Sequence, residues 1–333
     1  MRKQIHITAA AMMAAMGFIS CGTENATDIR LPEYAELTVN LAGGANLAAA
    51  QSGNTRAALD TDKEFAVNNV QIFVFRKDGS LDAYSNGEQK DGIKLTCTTG
   101  EKTVIAVVNA PDMSGVISKD ELLGTKSLLT HNTLSNFVMT GEKEEDIKGD
   151  KSVTVNVKRI AARISIESIE VDYESDAYKS AEVKLTGIYV INAAGEADYG
   201  LTAKPGIWYN KGAYSQSGVD ALIYKNTGST SLSENSPYNI AEYFYVYPND
   251  KTWAVDSEWP ATKLVVETTI NGKTYYYPVK FPDIIRNTKY RIPKLTITRP
   301  GSENPDIEVV SNDCTFSIVV DDWDKGSEDN VVI

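Results

Sequence analysis

Histidine and cysteine are scarce in this chain, with two of the former and three of the latter in 333 residues. His6 sits in the N-terminal leader, so His131 would be the sole imidazole of a mature protein, which excludes metal sites built on histidine pairs. Cys97 and Cys314 have no metal-ligand spacing. A bridge between them suits an oxidising compartment, and two unpaired buried thiols are the plainer alternative. Basic residues are also outnumbered, 33 against 45 acidic ones, giving a net charge of −12. Nucleic acid is thereby excluded as a partner, because it demands a basic footprint. No apolar run reaches the roughly 20 residues that a spanning helix needs. Catalytic motifs are missing as well. Gly272-Lys273-Thr274 matches the end of a phosphate loop, but the earlier glycine position holds Glu267. Asp321, Asp322 and Asp324 resemble a calcium loop, yet Gly326 falls where a ligand belongs. Nothing singles out a carboxylate pair among the 45 acidic residues, so no enzyme, cofactor or metal is expected.

What is present begins with a leader. Met1-Arg2-Lys3 is basic, and residues 7–19 form an apolar run of signal-peptide length ending in Phe18-Ile19-Ser20-Cys21-Gly22. A small residue directly before cysteine at this point is the lipobox of a bacterial lipoprotein, with Phe18 where leucine is usual. Cys21 would then carry lipid, and each buried methylene contributes about 0.8 kcal/mol of membrane affinity, so two or more chains anchor firmly. Residues 1–20 are read as the signal peptide, cleaved before Cys21.

The remainder reads as all-β, with few and short helices. VQIFVF (70–75), KTVIAVVN (102–109), SVTVNV (152–157), RISIESIEV (163–171) and KLVVETTI (263–270) are rich in β-branched residues. Asn271-Gly272 between two such runs predicts a hairpin. Only Ser118–Leu129 hints at a helix, with Ser118 or Asp120 as its cap. Many short strands predict β-sandwiches, and length predicts two in tandem, with a boundary near Arg159: 57–159 and 160–333.

Both flanks of these domains carry a further strand. Glu36–Leu41 alternates, with Leu37, Val39 and Leu41 on one face. Residues 42–56 are small and polar, an accessible linker that cannot order itself by burial. Near the C-terminus, Thr315–Val320 alternates with Phe316, Ile318 and Val320 on one face, and the chain ends on apolar Val331-Val332-Ile333.

Six segments in order, VQIFVFRKDGSL (70–81), TGEKTVIAVVNAP (99–111), FVMTGE (137–142), VKRIAARISI (157–166), YFYVYPND (243–250) and IIRNTKYRIPKLTITRPGSENP (284–305), resemble the fimbrillins, subunits of type V pili. The lipobox and Trp323 strengthen the resemblance. It implies tandem β-sandwiches of Greek-key, transthyretin-like type and a propeptide spanning residues 21–56. It implies export as an outer-membrane lipoprotein, followed by cleavage between Arg56 and Ala57 by an arginine-specific surface protease. Loss of the propeptide would withdraw Leu37, Val39 and Leu41 from the first domain. The C-terminal region 315–333 of a neighbouring copy or related subunit, carrying Phe316, Ile318, Val320, Val331, Val332 and Ile333, would fill the gap by strand addition. The expected partners are thus other fimbrial subunits in a head-to-tail cell-surface filament. The alternative is a glycan-binding lipoprotein or tip adhesin, drawn from the aromatic clusters at Trp208-Tyr209, Tyr243-Phe244-Tyr245, Trp253, Trp259 and Tyr275-Tyr276-Tyr277.

Overall fold

A computed structural model describes residues 33–43, 61–88, 90–173, 175–250, 260–281, 283–309, 313–323 and 331–332. The first strands are β1 (Tyr34–Gly43), β2 (Val70–Arg76), β3 (Leu81–Gly87), β4 (Ile93–Thr98), β5 (Gly100–Val108), β6 (Lys126–Leu128), β7 (Met139–Ile147) and β8 (Lys151–Arg159). All but β6 form a seven-stranded sheet in the order β3-β2-β5-β7-β8-β1-β4. Strands β7 and β8 share two register pairs, Met139 with Arg159 and Thr140 with Lys158. Beyond these pairs the sheet doubles over, enclosing a core that includes Leu37, Val39, Ile72, Val104, Val153 and Val155. Asp82 of β3 closes the open side. It accepts from the Thr98 amide at 2.8 Å and pairs with Lys102 at 3.0 Å.

The continuous apolar runs in β2 and β5 have a simple cause. Val70, Ile72 and Val74 point into this inner core, while Phe73 and Phe75 point the other way into a second, larger core. Val104 and Ala106 are likewise opposed to Ile105 and Val107. A strand buried on both faces loses its polar alternation. By contrast β8 has one buried face, Val153, Val155 and Val157, and alternates strictly.

The later strands are β9 (Ala162–Ile166), β10 (Ile169–Val171), β11 (Val183–Ile191), β12 (Ala193–Ala194), β13 (Glu196–Asp198), β14 (Trp208–Tyr209), β15 (Tyr224–Leu232) and β16 (Glu242–Val246). They continue with β17 (Lys263–Ile270), β18 (Lys273–Lys280), β19 (Thr288–Ile292), β20 (Leu295–Ile297), β21 (Cys314–Phe316), β22 (Val319–Asp322) and β23 (Val331–Val332). Their sheets run β16-β9-β19-β22-β23, β15-β11-β17-β18 and β10-β20-β21. A two-stranded ladder, β13 with β6, ties this part to the first. Ile160 and Ala161, between β8 and β9, are fully buried in the larger core.

The hairpin expected at Asn271-Gly272 joins β17 to β18, and both residues have positive φ, 50° and 81°. That is the paired left-handed geometry of a two-residue turn. Three short α-helices occur among the described residues, α1 (Thr61–Glu64), α2 (Lys119–Gly124) and α3 (Asp220–Ile223), together with a 3-10 turn at Leu129–His131. Ser118 caps α2, its hydroxyl accepting from the Glu121 amide at 3.2 Å. The helix ends well short of Leu129, because Lys126–Leu128 is drawn into the ladder with β13.

Candidate functional site

Strand β1 lies in a slot between two strands that its removal would leave apart. It runs parallel to β8, from Leu37 beside Lys151 to Gly43 beside Val157. On its other edge it runs antiparallel to β4, from Tyr34 beside Thr98 to Val39 beside Ile93. Among the described residues β4 pairs with β1 alone. Ala35, Leu37, Val39 and Leu41 all point inward and are buried. Burying a large aliphatic side chain contributes about 1.5–3 kcal/mol.

The edge contacts are polar and light. Lys94 pairs with Glu36 at 2.7 Å, and that hydrogen bond is the main reason its pKa is raised. Asn40 donates to the Ser152 hydroxyl at 3.0 Å and accepts from the Gly92 amide at 2.9 Å. Exposed pairs of this kind contribute little. The strand is therefore held by its apolar side chains and its ladders. Gly43 ends it at φ 102°, where an added Cβ would sit 2.3 Å from the Val157 carbonyl oxygen. Gly43 and Asp82 both escaped the sequence reading, since neither lies in a recognisable motif.

Beside β1, on β4 and opposite Ala35, lies Cys97, buried and unpaired. Burial is the leading cause that pushes its thiol pKa up. Cys314 is also a free, buried thiol, pushed up to about 12 chiefly by burial. Each therefore stands alone, and the bridge considered from composition does not form.

The C-terminal residues differ from the sequence expectation. Residues 315–320 are not one alternating strand. β21 ends at Phe316 and pairs with β20, whereas β22 starts at Val319 and pairs with β19. Ser317 and Ile318 connect the two sheets, so the face changes there: Phe316 is 41% exposed, Ile318 is buried and Val320 is half-buried. Val331 and Val332 form β23, an edge strand against Val320 and Val319. Cys21, Arg56, Ala57 and Ile333 lie outside the described residues, as do Trp253 and Trp259.

The remaining aromatic runs are divided between core and surface. Phe244, Tyr245 and Tyr277 are buried. Tyr189 packs with Tyr214 and Tyr224 on the outer face of the β15-β11-β17-β18 sheet, and its hydroxyl donates to Glu267 at 3.2 Å. Among the described residues no group of three or more histidine, cysteine or acidic side chains could hold a metal. No helix among them is long and apolar enough to cross a membrane.

Residues 35–167 match the family model of the Major fimbrial subunit protein (FimA). The chain is 22% identical to the major fimbrium subunit FimA type-2 of Porphyromonas gingivalis, over 88% of this chain and 90% of that one. A fimbrilin (FimA) structure from P. gingivalis W83 superposes with a TM-score of 0.59 at 18% identity, over 88% of this chain and 99% of that one. A Bacteroides eggerthii structure, described as a candidate cell adhesion protein, gives a TM-score of 0.67 at 21% identity, over 88% and 97%. The structures share the fold, and the sequence is similar to those of fimbrial subunits.

Proposed function

We propose that this relative of the fimbrillins is an exported structural subunit of a surface fimbria. In this reading it is kept unassembled while β1 fills its own sheet. The observation that carries the reading is the position of β1, among the described residues the one ladder partner of β4 and also a ladder partner of β8, within the segment that the fimbrillin resemblance marks for removal. Lipid on Cys21 would deliver the precursor to the outer membrane. Cleavage after Arg56 would separate β1 from the body and let it leave. The vacated slot would then expose two unpaired strand edges and an apolar trough, and a strand edge of that kind accepts a strand from another chain.

The proposed donor is the C-terminal segment of a second copy or a related subunit. β23 is its most separable part, an edge strand that among the described residues pairs with β22 alone. β22 is more deeply integrated, with β19 on one side and β23 on the other. Removing residues 315–333 would therefore damage the five-stranded sheet. A chain ending at Trp323 is the cleaner variant.

The test pairs those two chains. Treated with an arginine-specific protease, the full precursor should lose its segment through Arg56 and form filaments visible by electron microscopy. The chain ending at Trp323 should be cut equally and stay monomeric. Normal filaments from the shortened chain would refute the donor assignment, and a cut full-length chain that stays monomeric would refute the subunit assignment.

A further inference from the structure

The residues that follow the linker are anchored in the interior. Glu64, the last residue of α1, is 3% exposed, and its carboxylate meets three donors. One guanidinium nitrogen of Arg163 reaches both oxygens at 3.0 Å. The Tyr245 hydroxyl donates at 2.6 Å, and the Trp323 indole N–H donates at 3.0 Å. The Glu64 backbone carbonyl also accepts from Arg159 Nε at 3.0 Å. Rings close the cluster: the Arg159 guanidinium lies 3.9 Å from the Phe65 ring centroid and 4.5 Å from that of Trp323.

Trp323 directly follows β22, so this carboxylate joins two distant parts of the chain. Arg163 belongs to β9 and Tyr245 to β16, which are neighbours in the sheet that also holds β22 and β23. The Trp323 backbone amide donates to the Asn287 carbonyl at 3.0 Å, but its indole N–H is given to Glu64. A buried indole N–H requires an acceptor, and an ionised acceptor makes a stronger bond than a neutral one.

We propose that Glu64 is a positioning residue that keeps the C-terminal segment on its own sheet, coupling the downstream end of the linker to β22 and β23. This rests on the reading that the segment later leaves for another copy. While α1 is docked, its carboxylate fixes Trp323 and β22 stays in its ladder with β19. When α1 undocks, the indole loses its acceptor, and the segment keeps its backbone ladder, its ring contacts and the Arg291–Asp321 ion pair but not this anchor. Cleavage after Arg56 leaves α1 tethered on one side only, which favours undocking. Removal of β1 and loosening of the donor segment are then linked through one short helix.

Hydrogen exchange of the uncleaved full chain, read by mass spectrometry, tests this without any filament. Glu64→Gln should raise exchange at Val319–Asp322 and Val331–Val332 by about tenfold or more, and leave β1 and β8 protected. Glu64→Asp, which keeps the charge, should fall between the Glu64→Gln variant and the wild type. Trp323→Phe keeps a ring but deletes the N–H, and should raise the same amides. Combining it with Glu64→Gln should add less than the sum of the two, because both remove one contact. Unchanged exchange at β22 and β23, or an equal rise across β8, β9 and β16, would overturn the proposal. Released segments with no filaments after cleavage would sink the assembly reading alone. Normal filaments with unmoved segments would sink the Glu64 proposal alone.

Discussion

If β1 is a removable element, weakening it should open its slot without unfolding the rest of the molecule. Leu37 is the point to press, because its side chain is fully buried between β4 and β8 and faces the inner core. Leu37→Ala removes the transfer energy of the deleted atoms and leaves a cavity, together about 2–5 kcal/mol. If that energy belongs to a local opening, the open population rises by about 30-fold or more at 1.36 kcal/mol per decade. Cys97 reports the opening directly, since it sits on β4 opposite Ala35 and its thiol is buried in the core that β1 completes. In a background of Cys21→Ser and Cys314→Ser, its reaction with a chromogenic disulfide should accelerate by that factor in native buffer. Val155→Ala provides the control: it truncates the same core from β8 rather than β1. It should lower the urea midpoint with a smaller effect on labelling. Equal acceleration in both variants, in proportion to their loss of global stability, would refute the separable strand. β1 would then be an ordinary member of one cooperative sheet.

Three further outcomes follow from the same geometry. Gly43→Ala should cost about 1–3 kcal/mol through backbone strain and contact with Val157, and should speed amide exchange at Leu41–Gly43; unchanged exchange there would contradict the close approach. Asp82→Asn should cost about 3–5 kcal/mol at neutral pH by leaving the Lys102 ammonium buried without its counter-ion. Burial pushes the Asp82 carboxyl up, but hydrogen bonds from Lys102 and Thr98 pull it further down, so its pKa is lowered on balance. Its stabilisation is therefore complete above the ordinary carboxylate value of about 4 and is lost as pH falls below it. Urea titrations should show a shallower acid loss in Asp82→Asn than in wild type, and parallel curves would refute the assignment. Arg56→Ala should block maturation, and the mature wild-type chain should begin at Ala57 by N-terminal sequencing; a different first residue would move the cleavage site.

The strands were legible where one chemical pattern matched one environment. Leu37, Val39 and Leu41 alternate because β1 has one face in the core and one at the surface. Asn271-Gly272 is legible because few other residue pairs accept two left-handed conformations in succession. The change of sheet at Ser317-Ile318 was not. Phe316, Ile318 and Val320 keep a two-residue period, but period alone cannot say that the chain leaves one sheet and enters another. Glu64 was hidden for a related reason. A glutamate beside Asp62 and Lys63 reads as a solvated turn, and its burial depends on Arg163, Tyr245 and Trp323, all remote in sequence.

Those two illegible features bear on assembly more than the legible ones do. The sheet change puts the C-terminal strands β22 and β23 in the five-stranded sheet, whereas β1 occupies the seven-stranded sheet. On the proposed reading, acceptor and donor are then different surfaces of one molecule. Such a contact is heterologous, and when its rotation does not close on itself it builds an open filament rather than a ring. The buried carboxylate adds order of events. On the same reading, a donor held by α1 would not be free while the linker is intact, so slot and donor would become available to partners after the same cut.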